Sequence, residues 1–161
     1  MNNMKDLEKE VRSIFRKKNW LVLSTIDDKN IPHSSVVVYQ SDGYMIYCMT
    51  GKNTLKTRNI RANNKVSITI PFRKNFFHKI LPAPPAELHF TAEAEIKPFN
   101  DEEARKIFSK YLKYQENIEN QEENIWIKIT PSSRIITYGV GIPLFKMRNP
   151  EKARNFVELK S

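Results

Sequence analysis

Between residues 87 and 97, Leu88, Phe90, Ala92, Ala94 and Ile96 alternate without a break with Glu87, His89, Thr91, Glu93, Glu95 and Lys97. Successive side chains of an extended chain point to opposite faces, so this segment is a strand with one face buried and the other wet. Such a strand needs neighbours of the same kind, and the chain supplies them. "WLVLSTI" (20–26), "PHSSVVVYQ" (32–40), "YMIYCMT" (44–50), "KVSITIPF" (65–72) and "NIWIKIT" (124–130) are short β-rich runs, and "RIITYG" (134–139) adds a seventh. "DDKN" and "SDG" supply turns, so the second and third runs form a hairpin.

Helical signals are few. Met4, Leu7, Val11, Ile14 and Phe15 recur at helical spacing over residues 4–15. Asn53 or Thr54 caps a short helix to about Ala62, Asp101 opens another through about Gln115, and "PEKARNFVEL" reads as a short closing helix. Residues 73–85 form a loop with three prolines near its end. A doubly wound parallel sheet needs a helix after almost every strand, and that alternation is absent. The expected fold is mainly β with flanking helices: a six- to seven-stranded antiparallel barrel in one domain over residues 1–161.

Composition sets limits on this fold. The apolar fraction of 40% and charged fraction of 28% suit a globular domain. No run approaches the ~18 apolar residues of a membrane span, and "MNNMKDLEKE" lacks the apolar centre of a secretory signal. Cys48 is the single cysteine, which excludes an internal disulfide. The expectation is a cytoplasmic protein with Cys48 as a buried small hydrophobe.

The net charge is +9, and its placement is uneven. No acid occurs between Asp42 and Glu87, while eight Lys and Arg residues fall inside that interval. The gap predicts a local positive field for an anionic partner. Its densest part is "TGKNTLKTRNI" (50–60), where Thr50, Thr54 and Thr57 alternate with Lys52, Lys56 and Arg58. At the start of a helix, such residues can cradle a phosphate on free backbone amides. An ordinary capped helix with solvated lysines explains the same residues equally well.

Other chemistries find less support. "GKNTLKT" is not a Walker loop, and no Gly-x-Gly-x-x-Gly occurs. His33, His78 and His89 stand apart from one another and from Cys48, so no metal centre is expected. No nucleophile elbow is present, and Glu93 and Glu95 share a solvated strand face. Phe76, Phe77 and His78 interleave with Arg73, Lys74 and Lys79 in a way that nucleic acid would suit. A lid or dimer contact accounts for them more simply, and a nucleic-acid-binding barrel is the lesser alternative.

The run "LVLSTIDDKNIPHSSVVVYQSDGYMIYCMTGKNTLKTRNIRANNKVSITI", followed by "FTAEAEI", resembles the flavin-binding split-barrel family that includes the pyridoxamine 5'-phosphate oxidases. The resemblance is close over residues 15–97. It rests on an ordered set: "STIDD", the Pro opening strand two, the hydroxyl and Lys of "TLK", "RNI" and "NNKVSI". It implies a split barrel, a homodimer, and FMN bound at the subunit interface. Ser35, Val36, Val37 and Val38 would then run along the flavin ring, partly through backbone groups. Met49 and Thr50 would sit near the ribityl chain and phosphate, with Thr54 and Lys56 holding the phosphate. Trp126 would either cover part of the ring from the partner or lie in the core, the core being the simpler expectation.

The sequence also departs from the vitamin B6 oxidases. Ser35 replaces an Arg, Gln40 a Lys and Leu55 an Arg, and "ITPSSRIITYGVGI" lacks their Arg-containing substrate motif. The resemblance therefore implies an FMN-binding oxidoreductase of a small molecule, with no assigned catalytic residue, rather than a pyridoxamine phosphate oxidase. The deazaflavin F420 is the alternative cofactor, and haem ranks below both because none of the three histidines matches an axial position.

Overall fold

The computed structural model describes residues 4–74, 84–113 and 123–159. It contains β1 (Trp20–Ile26), β2 (Pro32–Ser41), β3 (Ile46–Gly51), β4 (Lys65–Phe72), β5 (Ala86–Pro98), β6 (Asn124–Pro131), β7 (Arg134–Tyr138) and β8 (Arg154–Glu158). The helices are α1 (Met4–Lys17), α2 (Leu55–Ala62), α3 (Glu102–Ile107), α4 (Ser109–Leu112) and α5 (Pro150–Ala153), with a 3-10 turn at Leu144–Arg148.

All strand pairs are antiparallel, and the order β4-β1-β2-β3-β6-β5 closes on itself through β4–β5. The barrel therefore has six strands. The sequence left six or seven open, and the structure answers that β7 lies outside the ring. The long strand β5 makes this possible. Its C-terminal half, Ala92–Pro98, pairs with β6, and on the same edge Glu87–His89 pairs with β7. β8 then adds to β7 as a two-strand extension.

Alternation decides which side chains fill the barrel. Leu21, Leu23, Val37, Tyr39, Ile68, Ile70, Leu88 and Phe90 are all buried in one cluster. The apolar face of α1 joins it through Leu7, Val11, Ile14 and Phe15, with Phe15 against Phe90 at 5.5 Å between ring centres. Burying such side chains contributes roughly 1.5–3 kcal/mol each, enough to fix the helix against the barrel.

A second, smaller cluster lies outside the ring. Trp126, fully buried, stacks on Phe99 and meets Phe108 at 4.8 Å, and its Nε1 donates to the Phe99 carbonyl at 2.9 Å. Trp126 is thus a core residue with its polar handle satisfied. Phe108 also interrupts the helix read from the sequence as continuous from Asp101. It takes φ −84° and ψ 2°, which divides the element into α3 and α4. The end expected near Gln115 lies outside the described residues.

Two further expectations are corrected. Tyr44 and Met45 do not belong to β3, because their amides are taken by Asp42 Oδ1 at 2.7 and 2.8 Å. The closing helix starts at Pro150 as expected but stops at Ala153, and Asn149 caps it. Arg154–Glu158 becomes β8 instead, since a full ladder with β7 gives its backbone partners that an isolated short helix lacks.

Candidate functional site

The turn from β3 into α2 is built from its own hydroxyls. Thr54 caps α2, and its Oγ1 accepts from the Thr57 amide at 3.4 Å. Thr57 Oγ1 donates to the Gly51 carbonyl at 3.0 Å, so its 2.8 Å contact with Thr54 Oγ1 is made with the Thr54 proton. Among the described residues, the Leu55 and Lys56 amides remain as the unpaired donors of the helix start. No acid lies in the first turn of α2.

Lys56 reaches back over this turn, with Nζ 3.5 Å from Thr50 Oγ1. Among the described residues no carboxylate pairs with it, whereas Lys52 is paired with Glu123 at 2.8 Å. Its charge is felt inside the barrel. Burial pushes the Cys48 thiol up, and the nearby Lys56 ammonium opposes that shift. Thr50, Thr54 and Lys56 are therefore brought together at one corner: two hydroxyls, a free cation and open amides. This is a donor set that suits a phosphate.

The helix is anchored from below. Asn59 Nδ2 donates to Thr25 Oγ1 at 3.0 Å in a buried contact between α2 and β1. Of the "RNI" run, this asparagine holds the corner in place, while Arg58 is exposed.

β2 is unusual along its other edge. It pairs with β1 from Pro32 to Val38, but its ladder with β3 covers only Tyr39–Ser41. β3 instead continues from Met49 to Gly51 along β6. The Tyr39 amide donates to Asn19 on the β1 side, so by alternation Ser34, Val36 and Val38 turn their amides and carbonyls away from β1. Among the described residues that stretch of edge has no strand partner. It faces the side where β3 ends at Thr50 and Gly51.

The remaining residues singled out from the sequence divide by face. Val36 and Val38 are 67% and 44% exposed, while Val37 is 8% exposed and packs in the core. Val37 can therefore offer only its backbone to a ligand, and that backbone is paired with Leu21. Ser35 is half-buried. The Met49 side chain turns outward against the Trp126 cluster, on the opposite face of β3 from Thr50. Sequence reading missed the open edge, because no side chain reports a missing backbone partner. It also missed Asn59.

The histidines are engaged elsewhere. His33 Nε2 donates to Asp27 Oδ2 at 2.9 Å, which with the Ile31 amide holds the Asp27 carboxyl below its usual value. His89 Nδ1 meets Thr69 Oγ1 at 3.1 Å, and His78 lies outside the described residues. Phe76, Phe77 and Lys79 lie outside them too, whereas Lys74 donates to the Ile142 carbonyl at 2.6 Å. Among the described residues no group of three or more His, Cys, Asp or Glu could hold a metal ion. No helix there is long and apolar enough to cross a membrane.

Comparison with known proteins agrees with this geometry at the level of family. The family model described as pyridoxamine 5'-phosphate oxidase matches residues 7–135. No curated protein matches the chain in sequence. Among solved structures, a Listeria innocua protein provisionally named as a pyridoxamine 5'-phosphate oxidase is 25% identical, with a TM-score of 0.61 over 78% of this chain and 93% of its own. A structure named as an F420 reductase is 18% identical (TM-score 0.57, covering 75% of this chain and 92% of that one). The heme storage protein HutZ of Vibrio cholerae is 19% identical (TM-score 0.65, covering 83% and 96%). The latter two likenesses are of fold alone. With the match spanning the barrel, the phosphate-suited corner and the open strand edge, this chain belongs to the pyridoxamine 5'-phosphate oxidase family.

Proposed function

We propose that the protein is an FMN-binding oxidoreductase acting on a small molecule, and not a pyridoxamine phosphate oxidase. The observation that carries this reading is the pairing of the Thr50–Thr54–Lys56 corner with the open edge of β2. In this reading Lys56, the Thr50 and Thr54 hydroxyls and the first amides of α2 hold the phosphate. Thr54 gives up its contact with Thr57 to donate outward, and Thr57 keeps its bond to Gly51. The amides and carbonyls of Val36 and Val38 address the polar rim of the flavin ring, with Ser35 and Val37 fixing the strand that presents them. The Met49–Thr50 segment lies between the two.

When bound, the flavin supplies hydride or electron transfer; the protein supplies position and electrostatics. Amide donors aimed at the ring stabilise negative charge there and raise its readiness to accept electrons. Lys56 balances the phosphate charge. The exposed Trp20, Val36 and Val38 on the outer face of β1 and β2 support a homodimer that covers this surface.

Deazaflavin F420 is the second reading, favoured by the structure named as an F420 reductase. Haem fits less well, since both described histidines are already bonded. The test is a visible absorbance spectrum of the purified protein after loading with FMN and removing the excess. Flavin bands that stay with the protein support the proposal. Retention of F420 or haem, with FMN washed away, replaces it by the corresponding reading.

A further inference from the structure

On the outer face of the sheet, one transverse row runs Val36, Val22, Thr69, His89, Ile136, Phe156 across β2, β1, β4, β5, β7 and β8. Its far end opens into a cleft of about 420 Å³ between β5, β7 and β8. The cleft is lined by Glu87, His89, Arg134, Ile136, Arg154 and Phe156. At ~4.8 Å per strand, His89 stands three strand spacings from Val36, so the cleft is separate from the corner and edge of the same chain.

Its charges are not balanced. Two guanidiniums face one carboxylate, and among the described residues neither Arg134 nor Arg154 makes an ion pair. Glu158 stands opposite Arg134 in the ladder, yet the Arg134 guanidinium turns instead over the Phe156 ring, 4.5 Å from its centre. Phe156 itself is 49% exposed. Guanidiniums stay charged at any ordinary pH and present planar forks that match carboxylate or phosphate oxygens. Beside them, Phe156 and Ile136 offer an apolar wall. A concave site with an apolar wall and a few convergent cationic groups is the form a small-ligand site takes.

We infer that this cleft binds a small anion, a carboxylate or phosphate ester joined to a flat apolar body, with Arg134 and Arg154 taking the anion and Phe156 the body. The inference stands apart from the flavin reading, since none of these residues belongs to the phosphate-suited corner.

The test is a titration of the ¹⁵N-labelled full chain with phenyl phosphate and with benzoate, using benzyl alcohol as the neutral control. The expected result is saturable amide shifts confined to residues 87–89, 134–136 and 154–156 for one or both anions. Arg134→Gln and Arg154→Gln should each weaken binding at least tenfold, while Lys56→Ala leaves these shifts unchanged. Equal shifts with benzyl alcohol, or shifts lost in Lys56→Ala but kept in the arginine variants, would overturn the inference. So would sedimentation showing that Arg154→Gln turns a dimer into monomers, which would make the cleft a contact between copies.

Discussion

Asn59 and Thr25 share a hydrogen bond of 3.0 Å in the buried seam between α2 and β1. Both are almost fully covered, at 4% and 2% exposure. Asn59→Ala leaves the Thr25 hydroxyl without a protein partner there, at a cost of about 1–3 kcal/mol. Urea unfolding should show a lower midpoint with an unchanged slope. Thr25→Val in the same background should recover part of the loss, because the stranded hydroxyl is then gone.

Lys56→Ala should leave the fold's stability nearly intact, since the ammonium makes one long contact to Thr50. Flavin affinity should fall by about 10- to 100-fold, the worth of a charge-assisted hydrogen bond of roughly 1.5–3 kcal/mol. Thr54→Val should cost both affinity and stability, because Thr54 also caps α2. Flavin fluorescence quenching on titration reads the first effect and urea unfolding the second. An affinity in Lys56→Ala equal to that of the unaltered protein would remove the phosphate assignment.

Asp27 accepts from the Lys29 and Ile31 amides and from His33, organising the turn between β1 and β2. The His33 bond, then the Ile31 amide, lower its pKa from the usual 3.8. A carboxylate depressed in the fold stabilises above its unfolded value, and that contribution is lost as pH falls through the folded one. The gap in urea midpoint between the unaltered protein and Asp27→Asn should therefore be full at pH 6 and shrink below about pH 4. A gap independent of pH would assign the turn to geometry alone.

Gly139 adopts φ +74°, and a Cβ there would run into the Met147 side chain and approach the Ala86 Cβ at 3.3 Å. The left-handed backbone alone costs a substituted residue about 1–2 kcal/mol. Met147 is held by Ala86, Tyr138 and Ala153, and its carbonyl takes the Tyr138 hydroxyl. Gly139→Ala should thus lower the thermal midpoint by several degrees. Met147→Ala in the same chain should not rescue it, since that change empties the core it was meant to relieve.

Strand existence was legible wherever alternation or β-branched runs were long, as in β1, β4 and β5, and Asn53 or Thr54 announced a helix that the structure caps with Thr54. β8 was not, because "PEKARNFVEL" carries a capped start and helix-forming residues, and only the ladder with β7 turns its second half into a strand. Phe108 fitted a helical face and does pack on Trp126, but its φ of −84° and ψ of 2° divide the helix there. At the candidate site, Thr50, Thr54 and Lys56 were readable as residue types. The buried bond of Asn59 to a threonine 34 positions away was not, since sequence proximity carries no trace of it. The cleft of Arg134 and Arg154 depends on the β7–β8 pairing and was invisible for the same reason.

The open edge of β2 bears on how such a chain can change over evolutionary time. An amide and a carbonyl recur at every position except proline, whatever the side chain attached. A guest addressed through the backbones of Ser34, Val36 and Val38 therefore places little demand on their identities. Substitutions there are free to reshape the surroundings while the recognising groups persist. Homologous barrels can drift far apart in sequence under that arrangement and still keep a place for a flat polar ring.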